Sequence, residues 1–174
     1  MKRELLLDLV GEIARVAGAR EVVMIGSQVV HAVTAQVPGE VLMSRECDLL
    51  LDESDPLTAA LDAALGTESG LAAEQFVHVD TVSSTFPFLP HGWEARLVPL
   101  APEAPHIRCL EIHDLVMSKL AAGRLKDYEL VAVLLGRELA NIDVVRSRIG
   151  SVSDLNMRAI LLARLQIVLG SVGR

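Results

Sequence analysis

Apolar and polar residues follow two different periods along the chain, and these periods predict its helices and strands. Charged residues recur at helical spacing near the start (Glu4, Asp8 and Glu12), so we predict an amphipathic helix over 3–17 that ends near Gly18. Farther on, the pattern predicts, in order, a strand over 21–25, a helix over 27–35, a turn at 38–40, a strand over 41–51, a helix over 55–66, and strands over 75–83, 95–100 and 107–112.

The pattern changes after Ile112, where four successive stretches have a helical composition. They cover residues 113–124, 126–139, 142–151 and 154–170. The sequence therefore predicts an α+β core followed by an α-helical C-terminal part. We expect residues 1–111 to form the α/β core and residues 112–174 to form a helical region packed on it within one compact unit.

Two carboxylates interrupt the apolar strand predicted over 41–51. Residues i and i+2 of a strand point to the same face, so Glu46 and Asp48 aim together while Cys47 aims into the core. Two adjacent carboxylates repel each other unless a cation lies between them, and Mg²⁺ prefers oxygen ligands of this kind. One or two Mg²⁺ ions bound there are suited to phosphoryl chemistry.

A phosphate-binding turn and a third carboxylate complete the candidate site. Gly26 and Ser27 end a short strand and open a helix, where backbone N–H groups and the helix dipole favour a phosphate. Asp80 lies within a later strand; beside the acidic pair it would bind the same metal or act as a general base. His78, two residues before Asp80, shares its strand face.

Each of these signals also has a purely structural interpretation. Most Gly-Ser pairs belong to turns or helix caps, an acidic triplet at a strand end is usually solvated, and Asp80 alone would simply end a strand. The order of the parts is what favours a nucleotide and metal site. That order is a strand, Gly-Ser, a helix, a strand with two carboxylates and a strand with a third.

Composition narrows the class of function. Hydrophobic residues make up 51% of the chain, which is enough for a core and argues against disorder. The net charge of -7 argues against passive coating of nucleic acid, although residues 111–174, with 9 Lys+Arg and 7 Asp+Glu, carry +2. No apolar run has the length of a membrane span and the N-terminus lacks a signal-peptide pattern, so we expect a cytoplasmic protein with Cys47 and Cys109 as buried thiols.

The order of the candidate residues resembles the nucleotidyltransferase superfamily with the DNA polymerase β-like fold. That superfamily has Gly-Ser or Gly-Gly at a strand–helix turn, two acidic residues at i and i+2 of the next strand, and a third acidic residue on a later strand. Gly26, Ser27, Glu46, Asp48 and Asp80 occupy those positions, with a glutamate where many members have a first aspartate. The resemblance implies a small mixed β-sheet flanked by helices.

A closer resemblance is to the bacterial DUF6036 type of nucleotidyltransferase-like proteins, which are related to the toxin component of AbiE-like toxin–antitoxin systems. The resembling stretches are "MIGSQ", "SRECDL", "LPHGWEARLVPL", "CLEIHDLVMSKLAAGRLKD" and "ELVAVLL". The resemblance makes Lys119, Arg124 and Lys126 candidate nucleotide-binding residues. Lys119, Gly123 and Lys126 share one helix face if the helix continues that far. Without the resemblance, they suit a solvated face, or pairs with Asp127 that dock this helix on its neighbour.

The resemblance implies a Mg²⁺-dependent transfer of a nucleoside monophosphate from an NTP to a hydroxyl of an acceptor. The expected acceptors are an RNA, such as tRNA, or a protein, with an antitoxin as partner if the protein is a toxin. Glu46, Asp48 and Asp80 would bind metal, Asp80 being also the candidate base, and Gly26 and Ser27 would hold the β/γ-phosphates. The alternatives are a catalytically degenerate binding or scaffold protein with this fold, and a homodimer built on the apolar segment 159–170.

Overall fold

The computed structural model describes residues 1–18 and 20–172 of the chain. The chain divides into two compact units. The first comprises Met1–Phe86 and Leu97–Leu110, and the second comprises Pro87–Arg96 and the chain from Glu111 onward. The segment 87–96 therefore belongs to the same unit as the chain from Glu111 onward, although residues 97–110 separate them in the sequence.

The first unit is a mixed β-sheet with helices. Its helices are α1 (Arg3–Ala17), a 3₁₀-helix over Ser27–Ala32, α2 (Gly39–Met43), α3 (Pro56–Leu65) and α4 (Gly70–Gln75). Its strands are β1 (Val22–Met24), β2 (Glu46–Leu50), β3 (His78–Val82), β4 (Val98–Pro99) and β5 (Ile107–Cys109). The strand order is β3-β2-β1-β5-β4. β1 is antiparallel to β2 and parallel to β5, β2 is parallel to β3, and β4 is antiparallel to β5. This architecture confirms the predicted α+β fold.

Burial follows the periods that predicted these elements. Along α1, Leu6, Leu9 and Ile13 are buried at i, i+3 and i+7, which confirms the amphipathic helix. Along β2, Cys47 and Leu49 are fully buried, so the alternate residues lie on the other face. Each fully buried leucine stabilises the fold by about 1.5–3 kcal/mol, so these apolar positions determine which face of each element turns inward.

The structure corrects two of the predicted elements around the Gly-Ser turn. The helix predicted over 27–35 is a 3₁₀-helix that ends at Ala32, in a stretch whose β-branched valines crowd the turns of a longer α-helix. The strand predicted over 41–51 begins only at Glu46, because residues 39–43 form α2. Val41 is buried whereas Met43 is 81% exposed, although a strand would have placed both on one face.

Two shorter elements also differ from expectation. Helix α4 was not predicted; the side chain of Ser69 caps it by accepting a hydrogen bond from the Ala72 N–H at 3.1 Å. The strand predicted over 95–100 is limited to β4, since a 3₁₀-helix occupies Glu94–Arg96 and Pro99 has no N–H to donate.

The second unit is helical. After the 3₁₀-helix at Glu94–Arg96, it contains α5 (Ile112–Ala122), α6 (Leu125–Gly136), α7 (Ile142–Gly150) and α8 (Leu155–Val172), which confirms the four predicted helices. Helix α8 packs against the other three and buries Leu161, Leu165 and Val168.

Helix α5 ends too early for Lys119, Gly123 and Lys126 to share one helix face. It stops at Ala122, and Gly123 takes a left-handed conformation with φ of 70°. A Cβ at this glycine would lie 2.5 Å from the guanidinium of Arg164, which itself donates to the carbonyl oxygen of Leu120 at 2.8 Å. The three residues were expected to share a face only if the helix continued through residue 126, and it does not.

Both cysteines are free thiols in the core of the first unit, as predicted. Burial raises the pKa of Cys109 to about 12, so it stays a neutral, inert thiol. None of the helices in the described ranges is both long enough and apolar enough to span a membrane.

Candidate functional site

The pairing of β2 with β3 determines the geometry of the candidate site. The two strands are parallel, and their register places Glu46 opposite His78 and Asp48 opposite Asp80. Cys47 and Val79, one residue along, are buried on the other face. Because side chains alternate along a strand, all four polar residues emerge on the same face of the sheet.

Three of these side chains form a compact set of potential metal ligands, which we call the β2–β3 cluster: Glu46, His78 and Asp80. One ligand atom from each lies within 4.8 Å of the other two. The His78 Nε2 and Asp80 Oδ1 atoms are 3.5 Å apart, and the two side chains are 19% and 43% exposed. The cluster is therefore reachable from solvent, and its chemistry suits a divalent cation.

The fourth residue, Asp48, faces the Gly-Ser turn. The Ile25 N–H donates to the Asp48 carbonyl oxygen at 2.8 Å, which holds the end of β1 beside β2. At Gly26 the backbone has φ of 53°, a conformation that side chains oppose. A Cβ there would lie only 1.8 Å from Asp48 Oδ2, so the glycine is required for the carboxylate to lie where it does.

The carboxylates of this face also affect the pKa of Cys47, which is buried on the other face of β2. The pKa of Cys47 is raised, first by its complete burial and then by the nearby acidic groups of Asp48, Cys109 and Asp80, which disfavour a thiolate beside them. No Arg or Lys among residues 1–18 and 20–172 forms an ion pair with Glu46 or Asp80. The two carboxylates are thus left with His78, and a bound cation would relieve their mutual repulsion.

A residue that sequence reasoning missed helps to hold β2 and β3 in register. Asp52, just after β2, accepts hydrogen bonds at its Oδ1 from the Ser84 N–H at 2.9 Å, from the Ser84 hydroxyl at 2.8 Å and from the Ser83 hydroxyl at 3.1 Å. These bonds lower the pKa of Asp52, and the bond from the Ser84 backbone N–H has the largest effect. An aspartate after one strand and a Ser-Ser pair after the next was the available signal.

The three basic residues predicted to bind nucleotide lie in the second unit, where two of them pair with Asp127. Lys119 Nζ is 3.5 Å from Asp127 Oδ1, and Arg124 Nε is 2.7 Å from Asp127 Oδ2. Burial raises the pKa of Asp127, but these partners outweigh it and the net shift is downward. Lys126 is exposed. The role of all three in binding nucleotide stays a prediction.

The other predicted residues come together within the first unit. Glu46, Asp48 and Asp80 share one sheet face, and Gly26 lies against Asp48 with Ser27 next to it at the start of the 3₁₀-helix. His78 joins the carboxylates, as its shared strand face with Asp80 indicated. Whether these residues bind nucleotide and metal is taken up below as a proposal.

Comparison with known proteins identifies the family of the chain. The family model described as "Nucleotidyltransferase of unknown function (DUF6036)" matches residues 4–161. No curated protein and no solved structure matches the chain. Because the match covers most of the chain, the protein belongs to the DUF6036 family of nucleotidyltransferases of unknown function.

Proposed function

We propose that this protein moves a nucleoside monophosphate from an NTP to a hydroxyl group of a macromolecular acceptor, with Mg²⁺ as cofactor. One observation carries the proposal: β2 and β3 present Glu46, Asp48 and Asp80 on one sheet face beside the tight turn at Gly26. Membership of a nucleotidyltransferase family supports the same reaction class and an NTP as substrate.

Each residue has a distinct part in this proposal. Glu46, Asp48 and Asp80 hold the divalent ion, which when bound supplies positive charge next to the phosphates. The backbone at Gly26 and Ser27 binds the β/γ-phosphates, since a glycine allows an anion to approach the main chain closely. The acceptor oxygen forms a bond to the α-phosphorus. The bond between the α-phosphorus and the oxygen that bridges it to the β-phosphate breaks, and pyrophosphate leaves.

Positioning and charge neutralisation account for most of the catalysis in such a reaction. Asp80 is 43% exposed and can therefore reach an acceptor hydroxyl; in this proposal it takes the hydroxyl proton when it does not bind metal. In this proposal, as the resemblance implies, Lys119, Arg124 and Lys126 also take part in nucleotide binding. The pairing of Lys119 and Arg124 with Asp127 would fix the direction of their side chains.

For the acceptor, we propose an RNA such as tRNA, or a protein. The resemblance to toxin-type relatives favours both, and it would make an antitoxin protein the partner in a cytoplasmic toxin–antitoxin pair. The net charge of +2 over residues 111–174 makes that region the better candidate for contact with RNA, because the chain as a whole carries -7.

Labelling experiments test the reaction. The protein is incubated with each of the four NTPs labelled at the α-phosphate, with Mg²⁺ and a cell extract, and labelled macromolecules are sought. We expect transfer of label by the native protein and its loss in Glu46→Ala and Asp48→Ala. The matched control is Glu53→Ala, which removes an exposed carboxylate just beyond the same strand and should leave transfer unchanged.

Digestion of the product distinguishes the acceptors. Label that ribonuclease removes identifies an RNA acceptor, and label that only protease removes identifies a protein. If label is absent with all four NTPs, or if both alanine variants transfer as well as the native protein does, the transferase proposal is wrong. Binding of NTP without transfer would then identify a catalytically degenerate binding or scaffold protein.

A further inference from the structure

The β2–β3 cluster contains an imidazole, and Mg²⁺ does not need one. Mg²⁺ is bound by oxygen ligands and water, whereas imidazole nitrogen is a ligand of first-row transition ions, among which Mn²⁺ also takes the carboxylate oxygens that suit Mg²⁺. His78 nonetheless stands directly opposite Glu46 in the strand register, on the same face as Asp80. A cluster of two carboxylates and one imidazole therefore differs from an all-oxygen Mg²⁺ site in the ion that it prefers.

The separations between the donor atoms are close to those within one coordination sphere. Ligands held at about 2.0–2.2 Å from one ion lie roughly 3.0–3.5 Å apart when adjacent and about 4.2 Å apart when opposite. The His78 Nε2 to Asp80 Oδ1 distance is 3.5 Å, and the donor atoms of Glu46, His78 and Asp80 all lie within 4.8 Å of one another. At 3.5 Å the His78–Asp80 pair is too long for a good hydrogen bond, so the two atoms are not tightly held to each other.

The electrostatic surroundings of the cluster also favour a cation. Within the described part of the chain, neither Glu46 nor Asp80 has an arginine or lysine partner. The partly exposed side chains of His78 and Asp80 give an ion access from solvent. A divalent ion would therefore neutralise two carboxylates that have no lysine or arginine partner among residues 1–18 and 20–172.

We propose that Glu46, His78 and Asp80 form a site for a first-row transition ion, such as Mn²⁺, which binds more tightly than Mg²⁺ and in the absence of nucleotide. The binding of the ion does not depend on the proposed function; only its role in catalysis rests on that proposal. A resident ion at the cluster would orient Glu46 and Asp80 before an NTP arrives, and these two carboxylates would then be shared with the Mg²⁺ ion that they hold together with Asp48.

Binding of Mn²⁺ to metal-free protein tests the proposal without any reaction. Free Mn²⁺ is followed by its electron paramagnetic resonance signal during titration, and Mg²⁺ is added as competitor. We expect the native protein to bind Mn²⁺ at least about tenfold more tightly than Mg²⁺, and His78→Gln to lose about tenfold or more in Mn²⁺ affinity. His106→Gln, an exposed histidine of the same unit, is the matched control and should bind as the native protein does.

A spectroscopic measurement separates ligation from an indirect effect of the substitution. Electron spin echo modulation from a bound ¹⁴N nucleus is expected in the Mn²⁺-loaded native protein and is expected to disappear in His78→Gln. Equal Mn²⁺ affinity of the native protein and His78→Gln would overturn the proposal, and so would Mg²⁺ binding as tight as Mn²⁺ binding.

The two proposals can fail separately. If His78-dependent Mn²⁺ binding is found but labelled NTPs give no product, the transferase proposal fails and the metal site stands. If label is transferred while Mn²⁺ affinity does not depend on His78, only the metal inference is wrong.

Discussion

Carboxylates occur in opposite surroundings in the two units of this protein. In the second unit, Asp114 is fully buried, and Arg96 Nε at 2.7 Å and an Arg148 nitrogen at 2.6 Å contact its two oxygens. In the first unit, Glu46 and Asp80 lie close together on β2 and β3 with His78 as their neighbour. We call the group in the second unit the arginine-paired cluster, with these members: Arg96, Glu111, Asp114 and Arg148.

The difference shows how the same side chain serves structure in one place and ligand binding in another. A buried carboxylate is costly unless the fold supplies cations and hydrogen bonds, and the arginine-paired cluster supplies both. Burial raises the pKa of Glu111, but hydrogen bonds from His113 and Arg148 outweigh it, so the net shift is downward. Within the described residues, no lysine or arginine pairs with Glu46 or Asp80 of the β2–β3 cluster, and the proposed metal ion would supply the compensating charge.

The largest effect is expected in the arginine-paired cluster. Asp114→Ala would leave two partly buried guanidinium groups without their shared partner, and we expect it to lower the free energy of unfolding by about 3 kcal/mol. Urea unfolding followed by circular dichroism measures the loss. Asp143→Ala is the control: that carboxylate is 84% exposed beside Arg146, and its removal should cost no more than about 0.5 kcal/mol. Equal losses in the two variants would mean that the buried pairing of Asp114 contributes no more than an exposed ion pair does.

The same substitution in the β2–β3 cluster should act only through a bound ion. Without metal, we expect Asp80→Ala to change the free energy of unfolding by no more than about 0.5 kcal/mol, because it removes one of two repelling charges. With Mn²⁺ at a hundredfold excess over its dissociation constant, the native protein should gain about 2.7 kcal/mol, and the variant should gain much less. Thermal unfolding with and without Mn²⁺ gives both quantities. A large loss in the metal-free variant would assign Asp80 a structural role instead.

The turn at Gly26 tests whether Asp48 depends on its glycine neighbour. Gly26→Ala forces a side chain into a backbone conformation that glycine favours, which costs of order 1–3 kcal/mol, and its Cβ displaces the Asp48 carboxylate. We expect lower stability together with loss of NMP transfer. Gly11→Ala, within α1 and with no atom near its new Cβ, should instead stabilise the protein by about 0.5–1 kcal/mol. Full activity of Gly26→Ala would show that the position of Asp48 is unimportant.

The smallest effect concerns acid pH and Asp127. Its pKa in the folded protein lies below the ordinary value of 3.8, so its stabilisation is complete above that value and is lost as the pH falls through the folded pKa. We therefore expect the loss of stability caused by Asp127→Asn to be greatest near pH 7 and to shrink as the pH falls below 3.8. Urea unfolding of both proteins across this range provides the measurement. A penalty that is the same at every pH would mean that the ionised form of Asp127 is not what its partners stabilise.

Much of the fold was predictable because local periodicity reports the buried face of an element. The helical spacing of charged residues predicted α1, helical composition predicted the four C-terminal helices, and β-rich stretches predicted β2 and β3. The structure confirms the helices and β3, and it shortens the strand predicted over 41–51 to β2. The order of Gly26, Glu46, Asp48 and Asp80 also predicted a nucleotidyltransferase family, which the family match confirms. Short elements were harder to predict from the sequence. Helices α2 and α4 have too few residues to show a helical period, and the hydrogen bonds at their ends are particular to each helix.

The sequence by itself determined which residues face the core, since the period of each segment is contained in that segment. Only the tertiary structure decided which polar residues meet. His78 and Glu46 lie in different strands, and the register that pairs them depends on how β2 and β3 align. Likewise, nothing local indicated that Asp114 would lie between Arg96 and Arg148. Contacts between residues distant in the chain are set by packing, and packing separates the carboxylates that support the fold from those that remain available to a ligand.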